Sequence, residues 1–305
     1  MKILTIIVSY NFERWMDACL GSLRRSTHPT DVLVVDNASQ DDTLKLLQER
    51  YPEVRVVANR ENLGFGRANN IGMEIALAEG YDAVFLLNQD AWIDEHVLAT
   101  LSSFEKLERG YILSPVHLDG SGKCLDSGFS NYAKLSGLDD LKGKSSYVEV
   151  DFLNAAFWFI PCSVLKVLGG FSTLFQHYGE DVDYINRATR YGYRIAYFPN
   201  VFACHDRAAR KVERKAWLYA EYVYHLTEYA NVLHNFFWAF GKGVLALWKK
   251  AFKALLKGKL LDVYDYILLS FRLIGRTKAV WKHRQYILTV GGSGFFLNVS
   301  NPKSC

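Results

Sequence analysis

Ile3–Val8 is an unbroken run of aliphatic and β-branched residues that stops on Ser9-Tyr10-Asn11. The same shape recurs at Val32–Val35, which ends on Asp36-Asn37-Ala38-Ser39, and at Ala83–Leu87, which ends on Asn88-Gln89-Asp90. Val54–Val57 is a further short apolar run. Continuous apolarity over so few residues predicts strands buried on both faces. Between them lie segments with helical spacing: Trp15–Leu23, then Asp41–Arg50 with Ser39 or Asp41 as its cap, then Gly66–Glu79. Strands alternating with helices predict an α/β fold with a mostly parallel, doubly wound sheet.

Later in the chain the pattern loosens. Asp94–Glu108 reads as a helix, and Cys124–Tyr147 as a loop with short strands. Phe152–Ile160 is strongly apolar and Gly169-Gly170-Phe171 makes a turn. A helix is expected over Asp181–Tyr191 and a strand over Arg194–Phe198. Beyond Lys211 the pattern is helical and aromatic to about Lys282, with no repeat and no low-complexity linker. The chain is therefore expected to divide into a domain over residues 1–210 and a helical extension over 211–305.

Parallel strands place their carboxyl ends on one edge of the sheet, where open α/β sheets bind ligands. A carboxylate there, such as Asp90, is placed to hold a hard cation and through it phosphates. Asn62–Gly72 is rich in Gly and Asn, which permits close backbone approach to a ligand, but it lacks the GxGxxG spacing. That argues against a dinucleotide-dependent oxidoreductase. Glu180-Asp181 opens a predicted helix, where acidic residues serve as caps. The helix dipole at that place lowers a carboxyl pKa. His205 follows a strand-like stretch and is open to two readings, a metal ligand or a structural histidine.

Five segments in order, Val8-Ser9-Tyr10-Asn11, Val34-Val35-Asp36-Asn37-Ala38-Ser39, Glu61-Asn62-Leu63-Gly64-Phe65, Leu86-Leu87-Asn88-Gln89-Asp90 and Tyr178-Gly179-Glu180-Asp181-Val182-Asp183, resemble the inverting family 2 glycosyltransferases of GT-A fold. The resemblance covers roughly residues 3 to 205 and is nearest to a bacterial rhamnosyltransferase-like branch. It implies a nucleoside-diphosphate sugar donor, dTDP-rhamnose or a UDP-hexose, and a divalent metal cofactor, Mg²⁺ or Mn²⁺. Asp36 would accept hydrogen bonds from the base, Ser9, Asn11 and Asn62 would lie near base and ribose, and Arg67 or Asn69 would approach the diphosphate. Asp90 matches the last residue of the family's Asp-x-Asp metal motif. Asn88 departs from that motif, and Gln89 departs from the branch's Asn-Pro-Asp, which leaves one carboxylate, with His205 as a further ligand. Asp181 would be the general base, Glu180 its neighbour or an acceptor ligand, and Trp158, His177 and Tyr178 would line the acceptor pocket. The family's processive members carry Gln-x-x-Arg-Trp, which is absent here, so one sugar is expected per acceptor. The acceptor would be a glycan or a polyprenyl-linked sugar in surface polysaccharide synthesis. The Asn88 departure leaves room for a second reading, a non-catalytic GT-A-fold binding module in a membrane-bound assembly complex.

Composition sharpens the setting. The 305 residues are 50% hydrophobic and 14% aromatic, enough for a large core. Five scattered cysteines without a CxxC pair argue against a zinc site and read as reduced cytosolic thiols. The N-terminal run reads as a strand and not as a signal peptide, and no apolar span reaches about 18 residues. From Asp206 onward there are 17 Lys and Arg against 6 Asp and Glu, so that stretch carries +11 of a net +4 and the remainder −7. On a helical wheel, Lys249, Lys250, Lys253 and Lys257 share one arc, and Leu245, Trp248, Phe252 and Leu255 another. Such a helix suits an anionic membrane surface, or packs its stripe on the preceding domain. The aromatics do not interleave with the charges, which argues against nucleic acid. The expected location is cytoplasmic, peripheral at the inner face of the plasma membrane.

Overall fold

A computed structural model describes residues 1–207, 213–289 and 296–297. Nine strands form one sheet: β1 (Ile3–Ser9), β2 (Asp31–Asp36), β3 (Arg55–Ala58), β4 (Ala83–Asn88), β5 (Ala91–Ile93), β6 (Tyr111–Asp119), β7 (Val148–Val150), β8 (Phe159–Pro161) and β9 (Arg194–His205). Their order is β3-β2-β1-β4-β8-β6-β9-β5, with β7 paired to β9. The long pairings, β1 with β2 and β4, β2 with β3, and β6 with β9, are parallel. The short strand β8 runs antiparallel to β4 and β6, as β5 and β7 do to β9. The sheet is thus mostly parallel, as expected, with antiparallel pairings in its second half.

Buried residues of β1 alternate between two cores, Leu4 and Ile6 in one, Ile3 and Ile7 in the other, and β4 does the same with Val84 and Leu86 against Phe85 and Leu87. That period of two is what a strand covered on both faces requires. The covering helices are α1 (Met16–Arg24), α2 (Thr43–Arg50), α3 (Phe65–Ala78), α4 (Val97–Ser102), α5 (Ser127–Ala133), α6 (Cys162–Leu168) and α7 (Glu180–Arg190). A third core belongs mainly to the C-terminal helices α8 (Arg214–Ala230), α9 (Phe236–Phe240), α10 (Ala246–Leu256), α11 (Leu260–Gly275) and α12 (Thr277–Thr289). A π-helical turn, Gly241–Leu245, joins α9 to α10. A Cβ at Gly243 would lie 2.7 Å from the His225 carbonyl oxygen, so glycine there lets this turn lie against α8. Among the described residues no helix is long and apolar enough to cross a membrane.

Three expectations are corrected. The helix over Asp94–Glu108 shrinks to α4 and a 3-10 turn at Leu107–Arg109; the Asp94 amide donates to the Phe202 carbonyl of β9 at 3.0 Å and Asp94 Oδ1 accepts from the His96 amide at 3.0 Å, so the chain turns before α4 begins. Cys124–Tyr147 is helical instead of stranded: Asp126 caps α5, its Oδ1 accepting from the Phe129 amide at 2.9 Å, and a 3-10 turn follows at Leu138–Leu141. Only Phe129 of α5 is buried, so the helix carries no apolar periodicity to read. β6 was not anticipated, since Pro115 interrupts its run at the place where its register with β9 shifts. Cys19, Cys124, Cys162 and Cys204 are free thiols, whereas Cys305 lies outside the described residues.

Candidate active site

The register Val8↔Val35, Ser9↔Asp36 and Val8↔Asn88 brings the carboxyl ends of β1, β2 and β4 level on one edge. The turns leaving that edge are held by side chains. Asp36, fully buried, accepts from Ser9 Oγ at 2.8 Å, from the Ser39 amide at 3.0 Å and from Ser39 Oγ. Asn11 takes a left-handed conformation at φ 57, as does Ala38 at φ 63, and Asn11 Oδ1 accepts from the Gln40 amide at 2.8 Å. Non-glycine residues with φ > 0 are uncommon and concentrate at functional sites. Gln89 stitches two strand ends together: its Oε1 accepts from the Tyr10 amide at 2.7 Å and its Nε2 donates to the Tyr10 carbonyl at 3.0 Å.

Beyond this edge opens a cleft of about 540 Å³, lined by Asn88, Asp90, His205, Asp206 and Arg207 from the β4–β5 turn and the end of β9, and by His177, Tyr178, Glu180 and Asp181 from the start of α7. Asp90 reaches it because the chain turns sharply from β4 into β5, and His205 because β9 pairs Ala91 with His205. His205 Nε2 lies 3.2 Å from Asp90 Oδ1 and 3.3 Å from the Asn88 amide. Arg207 Nε lies 3.3 Å from His205 Nδ1; a cation held at Nε2 requires the ring proton on Nδ1 and the Arg207 guanidinium turned away from it. With Nε2 of His205 unprotonated and the Asn88 side chain turned to present Oδ1 in place of the Nδ2 that now faces His205, one carboxylate, one imidazole and one amide oxygen would fit a divalent cation that takes its other ligands from phosphate oxygens. Among the described residues no group of three or more His, Cys, Asp and Glu could hold a metal without such help.

The start of α7 supplies the second group. Tyr178 at φ 65 and Gly179 at φ 86 turn the chain so that Glu180 and Asp181 form the helix's first turn. Glu180 is buried, and its Oε2 has no hydrogen-bond partner among the described residues. Burial, then the charge of Asp181, pushes its pKa up to about 7. Asp181 is half-buried; burial pushes it up to about 6, against the bond its Oδ1 accepts from the Val182 amide at 2.8 Å and against Arg207. Desolvation thus outweighs the helix dipole at Asp181. A carboxylate with a pKa near 6 suits general-base work at neutral pH.

The donor-loop residues divide. Asn62 is exposed and its Oδ1 accepts from the Gly64 amide at 2.9 Å. Arg67 is exposed on the first turn of α3, outside the cleft lining. Asn69 points inward, almost fully buried, and donates to the Phe65 carbonyl at 3.0 Å, so it does not reach the cleft. Trp158 is likewise corrected: it is fully buried, stacked near Phe171 and Tyr184, with no face open to an acceptor. His177 and Tyr178 do line the cleft. The sequence reading missed Asn70, which brackets the Phe171 backbone (Nδ2 to its carbonyl at 2.9 Å, Oδ1 from its amide at 2.7 Å) and so ties α3 to the segment leading into α7. It also missed Trp15, Tyr132 and Asn154, which complete the cleft.

A family model described as "Glycosyl transferase family 2" matches residues 5–165. The chain is 26% identical over 231 residues to the N-acetylglucosaminyl-diphospho-decaprenol L-rhamnosyltransferase of Mycobacterium tuberculosis, a match spanning 67% of this chain and 75% of that one. Among solved structures it resembles S. aureus TarS 1-349 in complex with UDP-GlcNAc, with a TM-score of 0.56 at 18% identity over 88% of this chain and 79% of that one. It also resembles the mannosyltransferase PcManGT of Pyrobaculum calidifontis in complex with GDP-Man and Mn²⁺, with a TM-score of 0.53 at 17% identity over 94% and 85%.

Proposed function

The chain belongs to glycosyl transferase family 2 and is a glycosyltransferase, and from that premise we propose that it transfers a single sugar, with inversion, from a nucleoside-diphosphate sugar to a hydroxyl of a glycan or lipid-linked acceptor. The observation that carries this reading is one cleft lined both by Asp90 with His205 and by Asp181. The donor is dTDP-rhamnose or a UDP-hexose, the acceptor a polyprenyl-linked sugar of surface polysaccharide assembly, and the enzyme works at the inner face of the plasma membrane. The mycobacterial relative's name, which joins a rhamnosyl group to a decaprenyl diphosphate sugar, supports that choice.

In the proposed reaction Asn11 and Asn62 lie at the base and ribose end of the donor site, on turns that the buried Asp36 and Ser9 brace, with Arg67 at its outer margin. Asp90, His205 and the Asn88 amide would hold a divalent cation, Mg²⁺ or Mn²⁺, whose charge offsets that of the departing diphosphate. Asp181 takes the proton of the acceptor hydroxyl as its oxygen bonds to the anomeric carbon. The bond from that carbon to the diphosphate oxygen breaks, and the nucleoside diphosphate leaves with the electron pair. His177 and Tyr178 flank the acceptor, and buried Glu180, with a free oxygen, is its neighbour.

The test is a panel of nucleotide sugars with polyprenyl-diphosphate N-acetylglucosamine and Mn²⁺, the anomeric configuration of product read by NMR. Inverted product from dTDP-rhamnose or a UDP-hexose is expected. Retained configuration, or release of free sugar alone from every donor, overturns the reading.

A further inference from the structure

The stripe Leu245, Trp248, Phe252 and Leu255 could cover the preceding domain or face outward, and the structure turns it outward. The inner face of α10 is instead Leu247, Ala251 and Ala254. Phe252 is 61% exposed and Leu256 72%. Alongside, α11 exposes Leu260 at 70%, Tyr264 at 63%, and Leu268 and Phe271, while burying Leu269 and Leu273. Trp248 meets Phe271 edge to face, ring centroids 6.0 Å apart, so the two stripes form one surface. Phe237 of α9, 85% exposed, adds a further large apolar side chain. Single exposed apolar residues are ordinary, but a continuous patch of this kind marks an interaction surface.

The charges on this surface have one sign. Lys249, Lys253, Lys257 and Lys259 are exposed and form no ion pair among the described residues, whereas Lys250 is bound to Glu221 and Lys242 lies by Glu228. The acids of α11, Asp262 and Asp265, turn to Arg214 at the start of α8. A second copy of this chain would set lysine against lysine. An anionic bilayer offers both complements, phosphates for the lysines and a headgroup layer for Trp and Tyr. Among the described residues no helix is long and apolar enough to cross a membrane, and the amphipathic α10 suits lying on one.

We propose that the outer face of α9–α11 is a docking surface for an anionic phospholipid bilayer, its apolar stripe entering the headgroup layer and its four unpaired lysines meeting lipid phosphates. α8 couples this face to the cleft. Its Arg214 holds α11, its Tyr219 hydroxyl donates to the His177 carbonyl at 2.8 Å, and its Val223 and Thr227 pack so close to Gly179 that a Cβ there would lie 2.8 Å from each. The acceptor wall is therefore carried on the helix that carries the docking face. This deepens the membrane location within the proposed function, and its test reads binding without transfer.

The experiment is co-sedimentation of the full chain with vesicles of pure phosphatidylcholine and with vesicles containing 40% phosphatidylglycerol. Strong binding to the anionic vesicles is expected, weakened by salt and much lower on the neutral ones. Each of Lys249→Gln, Lys253→Gln and Lys257→Gln should lower vesicle affinity about fivefold. Phe252→Ser combined with Leu256→Ser should lower it further, with circular dichroism and transfer to a water-soluble acceptor unchanged. Equal binding by these variants, or a dimer whose formation hides the face, overturns the proposal. Absent vesicle binding with intact transfer to a soluble acceptor removes the docking surface and leaves the proposed function standing. Vesicle binding without transfer does the reverse.

Discussion

Nε2 of His283, on α12, donates to Oδ1 of Asp183, on α7, over 2.8 Å, with both side chains buried. Oδ2 of the same carboxylate accepts from Arg187 Nε at 2.9 Å, and Arg187 in turn donates to the carbonyls of Leu168 and Gly170. The other nitrogen of His283 lies 3.1 Å from Ser172 Oγ. Burial acts to raise the Asp183 pKa, but His283 and Arg187 outweigh it and hold the carboxyl below its ordinary value. One ionised group thus joins α7 to α12 and to the turn after α6, two residues from Asp181.

His283→Ala should accordingly destabilise the fold by about 3 kcal/mol or more, because it strips one partner from a buried charge. It should also lower kcat while leaving nucleotide affinity nearly unchanged, since the donor edge is built from other elements. Urea denaturation and nucleotide titration check the two halves. An unchanged kcat would detach α12 from the positioning of the base.

Asp181→Asn is expected to lower kcat by about 10² to 10⁴. Donor affinity should stay within about twofold, because Asp181 is carried by α7 and not by the strand ends of β1, β2 and β4. In the wild type, activity should fall as pH drops through about 6, the value to which burial raises this carboxyl. A pH–rate profile flat from pH 5 to 8 would remove Asp181 as the base.

Glu180 gives a stability test with a definite sign. An unfolded glutamate ionises near pH 4.3, whereas burial and Asp181 push the folded group up to about 7. Between those values the folded chain holds more protons than the unfolded one. Stability therefore falls as pH rises from about 4 to 7 and levels off above. Glu180→Gln removes the penalty, by up to about 3 kcal/mol at pH 8 and by almost nothing at pH 4. Equal urea midpoint shifts at both pH values would contradict this.

Asp90→Ala should abolish the Mn²⁺-dependent part of UDP or dTDP binding, and His205→Ala should weaken it. Mn²⁺ alone should bind the wild type poorly, since the protein offers only one carboxylate and one imidazole. Calorimetric titration with and without EDTA separates these cases. Nucleotide affinity indifferent to both substitutions would place the cation elsewhere.

Much of the donor edge was legible because strand ends announce themselves: an apolar run that stops on Asn88-Gln89-Asp90 or Asp36-Asn37 has few other reasons to do so. Asp90, His205 and Asp181 are singled out by type and position together, and the structure brings all three to one cleft. Trp158 and Asn69 were misread because an aromatic or an amide looks the same in sequence whether it faces a cleft or a core, and both face the core. Asn70 and Gln89 escaped because their partners, Phe171 and Tyr10, are brought near only by tertiary packing. The outward turn of the α10 stripe could not be read either, since Leu247, Ala251 and Ala254 supply a second apolar face on the same helix.

Asp90 and His205 are more than a hundred residues apart in the chain, yet their meeting is fixed by the antiparallel ladder Ala91↔His205, Trp92↔Cys204 and Ile93↔Ala203. The Asp90–His205 contact is therefore gauged by a count of residues as well as by their identities. Deleting any one of Phe202, Ala203 or Cys204 would slide Asp206 into the His205 slot and set carboxylate against carboxylate. The irregular stretch at residues 199–201, where β9 already bulges away from β6, can absorb a change of length. An insertion scan across 198–205 should thus show a tolerant half followed by a forbidden one, with the border at Phe202.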